Sequence, residues 1–272
     1  MAFQFPGRLT EFKSKLPGSK KLLLLSLLLI ALANSFAIGF DIAAPFLAVS
    51  VFFAVATDFL LKFHLTGKKV FSESAAITGL FIGLVLSPNF PPWFTLSSTQ
   101  PFPFPAFAAI AAIVLKHFVR FNFLTIFNPA ASGLFLTLLL FPGAFDAWWA
   151  NGIPALTIAL GVLACWKAER LYALLSYAAS FFFLYLVFIL SASPLSLIPA
   201  FGTAFSFLPL FLGFFMLVDP LTSPPKSKPQ VAYGFLAALF SIVLLALNFN
   251  LFLYGGLLLA NASRFELTKR LK

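Results

Sequence analysis

The chain has 272 residues, 61% of them hydrophobic and only 10% charged, with a formal net charge of +10 and a mean hydropathy of +1.01. A water-soluble domain carries about 25% Asp, Glu, Lys and Arg, so this composition excludes a soluble globular fold and directs most of the surface to lipid. The basic excess sits between apolar runs rather than in a patch, so it orients the chain in a bilayer and gives no sign of nucleic-acid binding.

Lipid offers no partner to backbone N–H and C=O groups, which leaves helices or closed barrels. Barrel strands alternate apolar and polar residues, whereas the runs here are continuous, as in Lys21–Phe40 and Phe181–Leu190. The prediction is an all-α integral membrane protein with about ten transmembrane helices. In chain order they cover residues 21–40, 43–61, 72–87, 104–119, 129–145, 153–167, 171–192, 200–218, 230–247 and 250–264. Residues 1–20 form a basic cytoplasmic N-terminus, and 265–272 a cytoplasmic tail. The first segment also has the start of a signal peptide, with Ala31-Leu32-Ala33 shaped like a cleavage site. Apolar sequence runs on to Phe40, so the segment is expected to remain as the first span.

Alternate gaps hold all 18 Lys and Arg: Arg8 to Lys21; Lys62, Lys68 and Lys69; Lys116 and Arg120; Lys167 and Arg170; Lys226 and Lys228; Arg264 to Lys272. Cytoplasmic loops carry Lys and Arg, so both termini are placed in the cytoplasm of a plasma-membrane protein. Two repeats are expected, 21–145 and 153–264. Phe127-Asn128-Pro129-Ala130-Ala131-Ser132-Gly133-Leu134, which opens the fifth segment, answers Phe249-Asn250 with Gly255, Gly256 and Leu257, which open the tenth. Leu86-Ser87-Pro88 with Pro91-Pro92 answers Val218-Asp219-Pro220 with Pro224-Pro225. Five segments per half make the repeats inverted, an arrangement that puts a binding site or pathway at the interface, often at broken helices.

Motifs of soluble enzymes are absent, and the single Cys165 excludes a multi-cysteine metal site within the chain; it reads as a small buried filler. His64 and His117 fall in cytoplasmic gaps, at solvated or headgroup positions, where they would meet a soluble partner or a quinone headgroup. Asp58 stands four residues before Lys62, a helical ion pair, or else it lines an ion path. Glu73 begins the third segment, where a helix N-terminus stabilises an acid. Asp219 ends a helix, where the macrodipole disfavours an anion. With Thr222, Ser223 and the prolines around them it forms either an Asx turn or a polar site for a cation, flavin or quinone. Asn128-Pro129 is an N-cap with Pro at N1, or part of such a site.

Phe127-Asn128-Pro129-Ala130-Ala131, with Phe214-Phe215-Met216-Leu217-Val218-Asp219-Pro220-Leu221-Thr222-Ser223-Pro224, resembles the D subunit of the Rnf electron-transport complex. It is also similar to the B subunit of the sodium-translocating NADH:quinone reductase. Ser74-Ala75-Ala76-Ile77-Thr78-Gly79-Leu80 and Leu257-Leu258-Leu259-Ala260-Asn261 extend the resemblance from about 70 to 262. It implies a ten-helix inverted-repeat fold and flavin-mediated electron transfer coupled to sodium or proton movement. Further subunits of such a complex, or a cytoplasmic flavin reductase, are implied as partners. It makes Asn128, Asp219, Thr222 and Ser223 the cofactor-binding candidates, and Asp58 and Asp219 the ion-path candidates. The family carries FMN on the Thr of a Ser-Gly-Ala-Thr motif after the fifth helix. Here Pro142–Gly152 holds no Ser or Thr and the motif is absent. No covalent FMN is expected, and any flavin, FMN or riboflavin, would be noncovalent or held by a different protein of the complex. A similar fold serves urea transporters, so the alternative function is a channel or transporter for a small polar solute.

Overall fold

A computed structural model describes residues 13–67, 69–89, 102–192 and 196–271. Arg8, Lys68, Pro91, Pro92 and Lys272 lie outside these residues. Among the described residues, ten α-helices answer the ten predicted segments. The first half holds α1 (Ser19–Ile38), α2 (Phe40–Thr66), α3 (Glu73–Val85), α4 (Pro103–Phe118) and α5 (Pro129–Leu140). The second holds α6 (Pro154–Ala168), α7 (Leu171–Ala192), α8 (Leu197–Ser206), α9 (Ser227–Ala246) and α10 (Phe252–Arg270). The fold is all-α; a hairpin of two-residue strands, β1 (Arg120–Phe121) and β2 (Leu124–Thr125), joins α4 to α5.

Helix lengths separate two roles. α1, α2, α7 and α9 are long and apolar enough to cross a membrane, whereas α3, α4, α5, α6 and α8 have 10–17 residues. A span needs about 20, so the short helices depend on neighbours. α3 is mostly buried, and α5 is buried over its first half but exposed at Leu139 and Leu140, so both rest against neighbouring helices. The carbonyls at the end of α3 find partners outside the helix: Val85 O accepts from Ala147 and Trp148 N–H, and Trp149 Nε1 donates to Gly83 O and Leu86 O.

The eighth predicted segment is broken. α8 ends at Ser206, and Pro209, which has no N–H to offer a helix, follows; the chain then resumes as a π-helical turn, Leu212–Met216. The wider turn changes which carbonyls are free. Phe214 O accepts from Cys165 Sγ, and Met216 O from Asn128 Nδ2.

The packing of the first five helices is repeated in the second five. α2 packs on α3 and α4, and α4 on α5; α7 packs on α8 and α9, and α9 on α10. α1 meets α6, and α5 meets α10, joining the halves. Small residues set the closest approaches. A Cβ on Gly133 of α5 would run into Ala108 O of α4, and one on Gly256 of α10 into Ser241 of α9, the same contact in each half.

Candidate functional site

Asp58 is buried on α2 and collects cations from two helices. Lys62 Nζ, one turn on, lies 2.5 Å from Oδ2. From α4, His117 Nε2 lies 2.9 Å from Oδ1 and Lys116 Nζ 3.8 Å from it. Arg120 Nη2 is 3.2 Å from His117 Nδ1. A guanidinium only donates hydrogen bonds, so Nδ1 accepts and the ring proton sits on Nε2, donated to Asp58. The ion pair expected from spacing is therefore one edge of a larger cluster. Two expectations are corrected. His117 is not solvated: its side chain is 7% exposed, because α4 turns it inward against α2. Lys116, counted above only as an orienting charge, is buried and donates to Ser74 Oγ of α3 at 3.0 Å. His64 is exposed, as expected, and Glu73 stands exposed in the first turn of α3.

Ser74 leads to a cavity of about 70 Å³ between the halves. Its wall includes the first turns of three helices: Ser19 and Lys20 of α1, Ser74 of α3, and Pro129 and Ala130 of α5, with the N-cap Asn128 beside them. Asp219 lines it as well, and Lys116 lies within charge–charge range of Asp219. Helix N-terminal ends, which favour an anion, line the same cavity as Asp219. Asp219 lies past the π-helical turn in the connecting loop, half-buried. Its dry surroundings push the carboxyl above the usual carboxylate range, against the downward pull of the Leu221 N–H, Lys116, Thr222 and Arg264.

Asn128 is the N-cap of α5: Oδ1 accepts from Ala131 N–H at 3.0 Å, with Pro129 at N1. It also ties the halves together, since its own N–H donates to Asn261 Oδ1 at 2.8 Å, and Asn261 Nδ2 donates to Tyr233 Oη at 2.6 Å. Asp219 makes the Asx turn, Oδ1 accepting from Leu221 N–H at 3.1 Å, and also lines the cavity. Thr222 and Ser223 are buried but are not part of the cavity wall. Ser223 Oγ donates to Asp219 O and accepts from Arg170 Nε at 2.9 Å.

The loop from Asp219 to Pro225 is thus clamped from several sides. Arg170 holds Ser223, Arg264 donates to Leu221 O, and Gln230 Nε2 donates to Pro225 O and Glu169 O. Lys13 pairs with Glu169 at 2.7 Å and holds that exposed carboxyl below its usual range. Lys167 Nζ donates to the carbonyls of Lys13 and Leu16, which fixes the segment leading to Ser19 and Lys20. Sequence reasoning missed the roles of Lys116, Arg170, Gln230, Tyr233 and Arg264; the only signal was polar side chains at the ends of apolar runs.

No family model matches the chain. Over 113 residues, 40% of its length, the chain is 38% identical to the D subunit of the ion-translocating oxidoreductase complex of Buchnera aphidicola subsp. Baizongia pistaciae, spanning 29% of that protein. Over 94 residues, 35% of its length, it is 34% identical to the corresponding D subunit of Alcanivorax borkumensis, spanning 23% of that protein. The matched stretches cover less than a third of either relative.

Proposed function

We propose that this chain, a member of the D-subunit family of ion-translocating oxidoreductase complexes, is a membrane component that carries a cation step coupled to electron transfer. The observation that supports this reading is the line of polar groups from Asp58 through Lys116 and Ser74 to the Asp219 cavity. Ionisable groups inside a membrane protein are costly and commonly mark ion or proton routes. The basic residues argue for cytoplasmic termini, and the cavity then opens on the cytoplasmic half of the molecule.

The cavity also bears on the cofactor. A water occupies about 30 Å³ of liquid volume, and pockets for drug-sized ligands run to about 300–1,000 Å³. A cavity of about 70 Å³ suits a water or a small cation better than an isoalloxazine ring. A noncovalent flavin or a quinone would instead bind at a surface shared with a second protein of the complex or with a cytoplasmic flavin reductase. The test is purification of the tagged chain from its own membranes under mild conditions. Co-purifying proteins with a visible spectrum that dithionite bleaches support the reading. A colourless single chain that conducts a small solute in liposomes would replace it with the transporter reading.

A further inference from the structure

The hairpin between α4 and α5 has an unusual tip. Asn122 and Phe123 both have left-handed backbone, with φ of 48° and 63°. Two such residues between paired strands form a turn that suits Asn-Gly, and a bulky side chain at the second position is an outlier. Phe123 gains no packing in exchange, since it is 96% exposed. Backbone held in such a state points to a role outside the fold itself.

The base of the hairpin is firm. Arg120 pairs with Thr125, Arg120 Nε donates to Lys116 O, Arg264 Nη2 donates to Thr125 O, and the Phe121 ring meets Phe265 edge-on at 5.1 Å. The tip is therefore presented, not loose. Around it, Phe118, Phe121 and Leu124 are exposed. Phe118 ends α4, so the hairpin continues the apolar outer surface of that helix. Arg120 is exposed, and so is Lys269, one turn beyond Phe265; the nearby acid, Glu266, is paired with Arg270.

We propose that this hairpin is an interfacial foot, with Phe123 and its apolar neighbours seated at the headgroup–acyl boundary of the bilayer and Arg120 and Lys269 holding anionic phospholipid headgroups. Aromatic and apolar groups insert at that depth while basic residues stay with the headgroups, and the cytoplasmic leaflet is the anionic one. The inference is independent of the electron-transfer reading.

The test uses the full chain with Cys165→Ser, reconstituted in nanodiscs of phosphatidylcholine with and without phosphatidylglycerol. A nitroxide on Phe123→Cys is expected to favour oxygen over a nickel chelate, as a label on lipid-facing Phe52→Cys does, and to do so more with phosphatidylglycerol. Arg120→Gln should remove that lipid difference. A tip label as open to nickel as one on Lys228→Cys, in both nanodiscs, overturns the proposal and points to a soluble partner. Oxygen preference without a lipid difference overturns the anionic-headgroup half. As a check that needs no label, Phe123→Gly should raise the thermal midpoint in detergent by relieving the turn; a fall would mean that the ring packs in the fold.

Discussion

Asp58 and Asp219 are two acids with opposite electrostatic settings. Asp58 is buried between Lys62 and Lys116, with His117 Nε2 donating to it, so Asp58→Asn leaves the buried Lys116 without its anion. Removing one partner of a buried ion pair costs about 3–5 kcal/mol, and a matching loss of stability in detergent denaturation is expected. Asp219 should behave differently. Its folded-state value is raised, so the folded state holds the proton more tightly than the unfolded one. Stability then falls as pH climbs from the ordinary carboxylate range through the raised value, and the penalty persists above it. Asp219→Asn keeps the Asx turn and removes the penalty, so its thermal midpoint at neutral pH should equal or exceed wild type. That advantage should shrink on acidification through the same window. Asp219→Ala, which loses the Leu221 and Thr222 contacts, should be less stable than both. The proposed cation step gives a separate expectation for Asp219→Asn: activity in membranes below wild type, because the amide lacks the charge. An Asn variant with full activity would leave Asp219 as a turn residue. The pairing of Asp58 with Lys62 was legible because both lie one helical turn apart. His117 and Lys116 were not, since 59 residues separate His117 from Asp58 and nothing local signals that α4 faces α2.

Among elements, the ten apolar stretches were legible because cationic gaps bound them and lipid demands continuous helix. Where the helices stop was less so. Apolar residues fill the eighth segment through Val218, yet Pro209 and the π-helical turn divide it; hydropathy averages over such a break. The repeated contacts of Gly133 and Gly256 give a direct test of the two-fold pattern of packing. Gly133→Ala and Gly256→Ala each force a methyl into a neighbouring helix, and overpacking costs about 1–3 kcal/mol. Both should lower the thermal midpoint. Gly202→Ala in α8 meets nothing within 4 Å and removes a helix-weakening glycine, worth about 1 kcal/mol, so it should be neutral or stabilising. Equal behaviour of all three would count against close helix contact at Gly133 and Gly256.

At the scale of the molecule, the basic residues predict the orientation in the membrane. With Cys165→Ser as background, a cysteine at Asn151 should react with an impermeant reagent from outside, and cysteines at Lys167 or Lys228 should not. External reaction at Lys228 would break the alternation on which the ten-segment order rests. The short helices carry a further consequence, one for biogenesis. α3 and α8 have 13 and 10 residues, too few to be taken up by the membrane as spans of their own. Each follows a long apolar helix, α2 of 27 residues and α7 of 22. During synthesis the long helix enters the bilayer first and offers its side as the receiving surface. A chain stalled so that Val85 has just cleared the ribosome should therefore hold α3 loosely, exposed to protease until α4 and α5 emerge and enclose it.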